Sequence, residues 1–189
     1  MNFHHIYNFR VLAALSLGCF FMVGCENSDK EIYDLTSRRI GVEEALNVSI
    51  NYTIGGKIKS RLSAPFMLRH QDSIPFIEFT KTVHADFYDD QMKIETKLDA
   101  RYGKYIESQS LVYLKDSVVM FNTFGDTLYC TELYWDRNKP GKEFYTNKPV
   151  RIRTKSHTEN GTGMDAPQDF RSWHLLNPFG TVKVPASQF

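Results

Sequence analysis

The stretch His84-Ala-Asp-Phe-Tyr-Asp-Asp90 holds the densest set of groups in the chain that could ligate a metal: one imidazole and the carboxylates of Asp86, Asp89 and Asp90. A resident metal needs three or more such donors converging on one point. Here Val83, Ala85 and Phe87 alternate with His84 and Asp86, which is the period of a strand, and Asp89 and Asp90 fall in the turn that follows. A solvated strand face running into a turn accounts for all four groups, so no metal is expected. The histidines at 70, 157 and 174 stand apart, without HxxxH or HxH spacing. The chain has no Gly-x-Ser-x-Gly elbow, no phosphate-binding P-loop and no family-spaced cysteine–histidine pair. No residue is put forward as catalytic, an enzyme is not expected, and no cofactor is implied.

Cysteine chemistry points elsewhere. The first ten residues carry one positive charge, Arg10, and residues 11–24 (VLAALSLGCFFMVG) are uncharged and apolar. A helix of that length rises about 21 Å, short of the ~30 Å hydrocarbon core of a bilayer. A basic start, a short apolar run and small residues before a cut describe a secretory signal. The cut falls before Cys25 in Met-Val-Gly-Cys, similar to the bacterial lipobox, in which the cysteine thiol is acylated. Met22 stands where that motif usually has leucine, and an uncleaved anchor or a secreted chain cut elsewhere are the rival readings. Cys19 sits in a weaker version of the motif. The expected organisation is a lipoprotein-type signal over 1–24, a lipidated tether over 25–44 and one folded domain over 45–189. Only Cys130 then remains, which leaves no intramolecular disulfide and reads as a small buried apolar residue.

Charge excludes another class. Lys and Arg number 23 against 22 Asp and Glu, and without Arg10 the balance is 22 to 22. With no basic run, the chain lacks the electrostatic footprint of a nucleic-acid binder.

The elements that would position any site are strands. Leu46, Val48, Ile50, Tyr52 and Ile54 alternate with Asn47, Ser49, Asn51 and Thr53, and Gly55-Gly56 then makes the turn of a hairpin. Ile58, Ser60, Leu62 and Ala64 continue on one face. Val83, Ala85 and Phe87 lead to the turn 88–91, after which Met92, Ile94, Thr96, Leu98 and Ala100 alternate. Residues 110–122, 127–136, 148–154 and 180–184 supply further strands, with turns at 123–126, 138–141 and 158–163. Only residues 38–46 suggest a short helix, and the glycines are expected in turns. The chain reads as an all-β domain of ten or more strands.

Residues 57–64 (KIKSRLSA) and 93–100 (KIETKLDA) repeat one pattern. Ile58, Ile94 and Leu128 recur at intervals of about 35 residues, with a one-residue slip between Leu128 and Leu133 that a bulge explains. Residues 161–166 form a degenerate fourth copy. Stacked hairpin repeats of about 35 residues follow. The apolar face also repeats small residues, namely Ser60, Ala64, Thr96, Ala100 and Cys130. Two readings stand: a channel along the stack, or bulky partners such as Phe87, Phe121 or Phe124 filling the space.

The stretches GKIKSRLSAP, FYDDQMKIETKLDARYGKY, TELYWD and YTNKPVRI, in that order and spacing behind a short membrane anchor, resemble the LptC family of the lipopolysaccharide export ABC transporter, in its Bacteroidota-type form. The resemblance implies a twisted open β-jellyroll with a groove for lipid A acyl chains. The expected groove residues are Ile50, Tyr52, Ile58, Leu62, Val83, Phe87, Ile94, Leu98 and Leu128. It further implies a periplasmic protein on the inner membrane, lipid-anchored through Cys25. Its expected partners are lipopolysaccharide, the transporter's inner-membrane subunits and a second jellyroll bridge protein joined by edge-strand pairing. Many family members keep an uncleaved transmembrane helix, which leaves the anchor type open. A different class of function, a surface-exposed lipoprotein that binds glycans or partner proteins, is kept open by the acidic run after Cys25.

Overall fold

The computed structural model describes residues 41–180. The expected leader, Cys25 and nearly all of the expected tether therefore lie outside the described residues, as do all but the first residue of the strand expected at 180–184. Eleven strands follow one another: β1 (Val42–Ile54), β2 (Lys57–His70), β3 (Phe76–Phe79), β4 (Val83–Tyr88), β5 (Ile94–Ala100), β6 (Tyr102–Ile106), β7 (Leu111–Asn122), β8 (Thr127–Asp136), β9 (Phe144–Arg153), β10 (Thr158–Ala166) and β11 (His174–Phe179). The only helical element among the described residues is a 3-10 turn at Glu107–Gln109. All strands belong to one antiparallel sheet.

The order of that sheet is simpler than eleven strands suggest. β2 pairs with β4 through Ser60–Ser63 and with β3 through Leu68–His70. β7 likewise pairs with β6 through Leu111–Lys115 and with β5 through Val119–Asn122. β3 and β4 are thus one long strand broken at residues 80–82, and β5 and β6 another broken at Arg101. The sheet is a meander in which each long strand lies beside its neighbours in sequence.

Breaks and bulges recur along the strands. Asn47 adopts φ 51° in β1, Asp116 and Ser117 adopt φ 63° and 57° in β7, and Gly163 adopts φ 83° in β10. Each interrupts the pleat and turns the strand. The sheet consequently folds over on itself. The ring of Phe87 on β4 meets those of Trp135 on β8 and Phe144 on β9 at 5.0 and 5.3 Å between centroids. In a flat sheet three or four strand spacings of about 4.8 Å would hold them well apart. The architecture is the twisted open β-jellyroll, all-β and built from stacked hairpins.

Local chemistry explains the turns. Gly55 and Gly56 both take positive φ, 58° and 77°, as a two-residue hairpin turn of type I′ requires. The β4–β5 turn is held by the Asp89 carboxylate, which accepts from the backbone N–H groups of Gln91 (2.8 Å) and Lys93 (2.9 Å). The β7–β8 turn is held by Asn122, whose side-chain oxygen accepts from Phe124 and Asp126, each at 3.0 Å.

Five expectations are corrected. The helix suggested near 38–46 is strand from Val42 onward, and the last three residues of the expected tether belong to it. Pairing of Val42 with His70 and Glu43 with Arg69 overrides the helix-compatible composition. Residues 158–163 are the start of β10 rather than a turn. Accordingly, not all glycines sit in turns: Gly161 lies within β10 beside β11, where an added Cβ would meet the Asn177 carbonyl oxygen at 3.2 Å. Gly103 is buried in β6 against Val83 and Phe79 for the same reason of close approach. Finally, Leu46 and Ile54 do not share the inward face of β1 and are 71% and 54% exposed. The left-handed Asn47 and a register shift at Tyr52–Thr53 flip the alternation on either side of Val48, Ile50 and Tyr52. Met92, likewise expected on the inward face ahead of β5, takes φ 61° in the turn and is exposed.

Candidate functional site

Two in-register rows of inward side chains build the interior. The first runs Ile50, Leu62, Ala85, Leu98, Met120, Leu128 and Ile152 across seven strands. The second runs Tyr52, Ser60, Phe87, Thr96 and Asn122. The repeated sequence pattern is explained here. Leu62 and Leu98 are equivalent members of the first row, and the small residues Ser60 and Thr96 flank Phe87 in the second. A fully buried ring needs room on both sides, and a hydroxyl-bearing short side chain on each neighbour supplies it. Leu128 enters the row of Leu62 and Leu98 rather than that of Ile58 and Ile94. The slip between Leu128 and Leu133 is a register shift between Cys130 and Tyr134.

One end of the interior is plugged. The fully buried Phe170, in the loop joining β10 to β11, packs against Trp173 at 5.3 Å. That loop is tied down where β5 begins and β7 ends: Thr96 Oγ1 donates to the Asp169 carbonyl (2.9 Å), and Asn122 Nδ2 donates to that of Phe170 (2.8 Å).

The interior is open elsewhere. A groove of about 380 Å³ lies between the layers, walled by Ile50 and Tyr52 of β1, Ser60 and Leu62 of β2, Ile77 and Phe79 of β3, Tyr105 of β6, Val112 of β7 and Trp135 of β8. Its charged lining consists of Arg69, Glu107 and Arg137. Arg137 bridges β1 and β6 within that lining. Its guanidinium lies 4.1 Å from the centre of the Tyr52 ring, and its Nη2 donates to the Tyr105 hydroxyl at 2.8 Å. Two donors in this lining, Trp135 Nε1 and Arg137 Nε, are buried without an acceptor among the described residues.

Among the nine residues singled out from the sequence, Ile50, Tyr52 and Leu62 line this groove. Phe87, Leu98 and Leu128 lie deeper, at 0–1% exposure in packed core. Val83, also buried, borders a separate and more open depression of about 660 Å³ between β1 and the breaks of β3–β4 and β5–β6. Ile58 and Ile94 are half-buried beside the β1–β2 and β4–β5 turns, away from the groove. Of the bulky partners, Phe87 fills the core, whereas Phe124 is 50% exposed at a turn. Both readings of the interior thus hold in different places: packed around Phe87, open beyond Ser60 and Leu62. The sequence reading missed Ile77, Phe79, Tyr105, Val112, Trp135 and Arg137. For the last two a signal was available, since period two carried from Leu133 through Trp135 reaches Arg137 on the same face.

His84 is where the alternation put it. Its Nδ1 stands 2.7 Å from Asp99 and its Nε2 3.2 Å from Asp86, which also pairs with Lys97 at 3.5 Å. Partial burial disfavours the charged ring, but the two carboxylates outweigh it and hold the imidazole above its ordinary pKa. Asp90 pairs with Lys59 instead. Among the described residues no three histidine, cysteine, aspartate or glutamate side chains stand where they could hold a metal ion. Cys130 is buried, and burial pushes its thiol up to about 12. No helix among the described residues is long and apolar enough to cross a membrane.

No curated protein matches the chain. A family model described as "Lipopolysaccharide-assembly, LptC-related" matches residues 47–182, which takes in every strand from the middle of β1 to β11. With that match across most of its length, and with the jellyroll and interior groove described above, the chain belongs to the LptC-related lipopolysaccharide-assembly family, whose role is lipopolysaccharide transport at the periplasmic side of the inner membrane.

Proposed function

We propose that the protein is a membrane-anchored bridge component that accepts lipopolysaccharide from the export transporter in the groove between its layers and passes it toward the outer membrane. The observation that carries the reading is the groove itself, an unfilled apolar space inside an otherwise packed jellyroll. At roughly 30 Å³ per small unit, the share of one water in the liquid, about a dozen methylenes fit. Each would contribute about 0.8 kcal/mol on leaving water, so acyl chains bind there without a charged clamp on every carbon. The lipid-contacting set is Ile50, Tyr52, Leu62 and Ile77, backed by the buried Phe79 and Val112. Ile58, Val83, Phe87, Ile94, Leu98 and Leu128 support that wall from the turns and the core.

Among the described residues β1 pairs only with β2, and β11 only with β10. Their outer edges are the surfaces for strand addition, one toward the transporter's membrane subunits and the other toward the next jellyroll protein. β1 offers 13 residues without proline, whereas β11 is short and carries Pro178. Cys25 acylation would supply the membrane anchor.

A photo-activated residue placed at the half-buried Ile77 in cells should crosslink to lipopolysaccharide, and one placed at the outward Lys97 should not. Equal crosslinking from both positions rules the groove out. Affinity purification of the tagged protein from membranes should bring down the transporter's membrane subunits. A C25A variant should lose both acyl labelling and membrane retention.

A further inference from the structure

We infer that Trp135 and Arg137 form an anion-binding end to the groove, which takes the charged oxygen group of an amphiphile while its chain lies along Ile50, Leu62 and Ile77. This inference rests on the groove being the lipid site. It starts from two donors without acceptors. Trp135 is 5% exposed, and its indole N–H finds no acceptor among the described residues; the same holds for Arg137 Nε–H. A buried N–H left unmade costs about 1–3 kcal/mol, and more when the group is charged. Two such groups on one side chain face, two residues apart, in the wall of an open groove, mark where an oxygen acceptor belongs.

The charge has a sign. The groove lining holds two arginines and one carboxylate, Glu107, and none of the ion pairs among the described residues includes any of the three. Arg137 is already oriented: its plane rests against Tyr52 and one amino nitrogen is fixed on Tyr105. That placement leaves Nε–H for a ligand. Guanidinium recognition of a phosphate or carboxylate through directed N–H groups is the chemistry such a held fork performs well. The remainder of the groove offers aliphatic and aromatic surface, so the ligand that satisfies both parts has an anionic oxygen group joined directly to a hydrocarbon chain. Its orientation follows, with the anion at the Arg137 end and the chain running along the groove.

The test uses the full chain and three probes measured by calorimetry: monomeric dodecyl phosphate, dodecanol and inorganic phosphate. The wild type should bind dodecyl phosphate at least about tenfold more tightly than dodecanol, the factor expected of hydrogen bonds to a charged group. Inorganic phosphate alone should show no saturable binding at millimolar concentration. Arg137→Gln should bring dodecyl phosphate down to the affinity of dodecanol while leaving dodecanol within about twofold, a change no general loss of folding produces. Arg137→Lys should keep only part of the preference, because it retains the charge and lacks the Nε–H. Trp135→Phe should weaken the phosphate probe several-fold and spare the alcohol. Equal affinity for the phosphate and the alcohol in the wild type, or a preference that survives Arg137→Gln, overturns the anion site and leaves the groove standing. Tight binding of inorganic phosphate alone overturns the coupling of anion to chain. Failure of both dodecyl probes to bind overturns the groove reading as well.

Discussion

Ile77→Trp isolates the groove from the fold. Ile77 lies on β3 between Arg69 of β2 and Tyr105 of β6, is half-buried, and lines the groove at the margin of the packed core. Replacing it with tryptophan puts about six more non-hydrogen atoms into a groove of about 380 Å³. Each methylene displaced forfeits about 0.8 kcal/mol, so the gross loss is about 5 kcal/mol. An acyl chain can slide outward and recover part of its contact, which leaves a net loss of about 2–3 kcal/mol, or roughly 30-fold to 140-fold in affinity. The new ring enters space that is already vacant, so the midpoint of thermal unfolding should move by no more than a few degrees. Titration of purified lipid A into wild type and variant, with unfolding followed in parallel, gives both quantities. A variant that folds as the wild type does and binds lipid A with undiminished affinity refutes the assignment of this space to the acyl chain.

Phe87→Ala should destabilise the fold by about 3–5 kcal/mol in denaturant titration, since it empties a fully buried site between Ser60 and Thr96 and removes edge contacts with Trp135 and Phe144. His84 should make the wild type pH-dependent relative to His84→Gln. Its folded pKa lies above 6.5, so its stabilising share is complete below that value and is lost as pH rises through the folded pKa. Unfolding midpoints of the two proteins, compared from about pH 6 to pH 8, should converge as pH rises; divergence contradicts the Asp86–His84–Asp99 cluster. Cys130 should resist iodoacetamide at pH 8 in the native protein and react on unfolding, read by peptide mass spectrometry at that residue. Burial both shields the thiol and suppresses its thiolate.

Much of this architecture was legible because two-residue periodicity and turn chemistry survive in a strand meander. Residues 127–136 were bounded correctly from the apolar alternation and the Thr-Phe-Gly-Asp turn before them. Gly55-Gly56 likewise announced its hairpin. β11 was not legible: His-Leu-Leu-Asn-Pro-Phe has neither alternation nor β-branched residues, and it is a strand because β10 offers it an edge. Gly161 and Gly163 read as a turn because the sequence cannot show that β11 pairs alongside them, with the Leu175 and Leu176 side chains packed close against their Cα atoms. The groove divided in the same way. Inward-facing positions could be named from periodicity, but which inward positions border vacant space depends on where the sheet folds over. That is set by breaks at residues 80–82 and 101 and by the left-handed Asp116 and Ser117, none of which periodicity reports. Hence Leu62 and Leu98, alike in sequence, have different neighbours: Leu62 meets the groove and Leu98 meets packed side chains.

The meander also governs how the molecule comes to be built. Every ladder joins stretches that follow one another along the chain, so pairing needs only short loops to close, and loop closure is what slows most sheet proteins. Strands can add in the order in which they leave the ribosome or cross a membrane, each new hairpin finding a finished template beside it. The loop carrying Phe170 comes late in that order, between the last two of the described strands, and it ties β5 to the β10–β11 connection through Thr96 and Asp169. A chain stopped after residue 166 would keep the ladders from β1 to β10 but lose β11 and the Phe170 plug, leaving that end of its interior open to water.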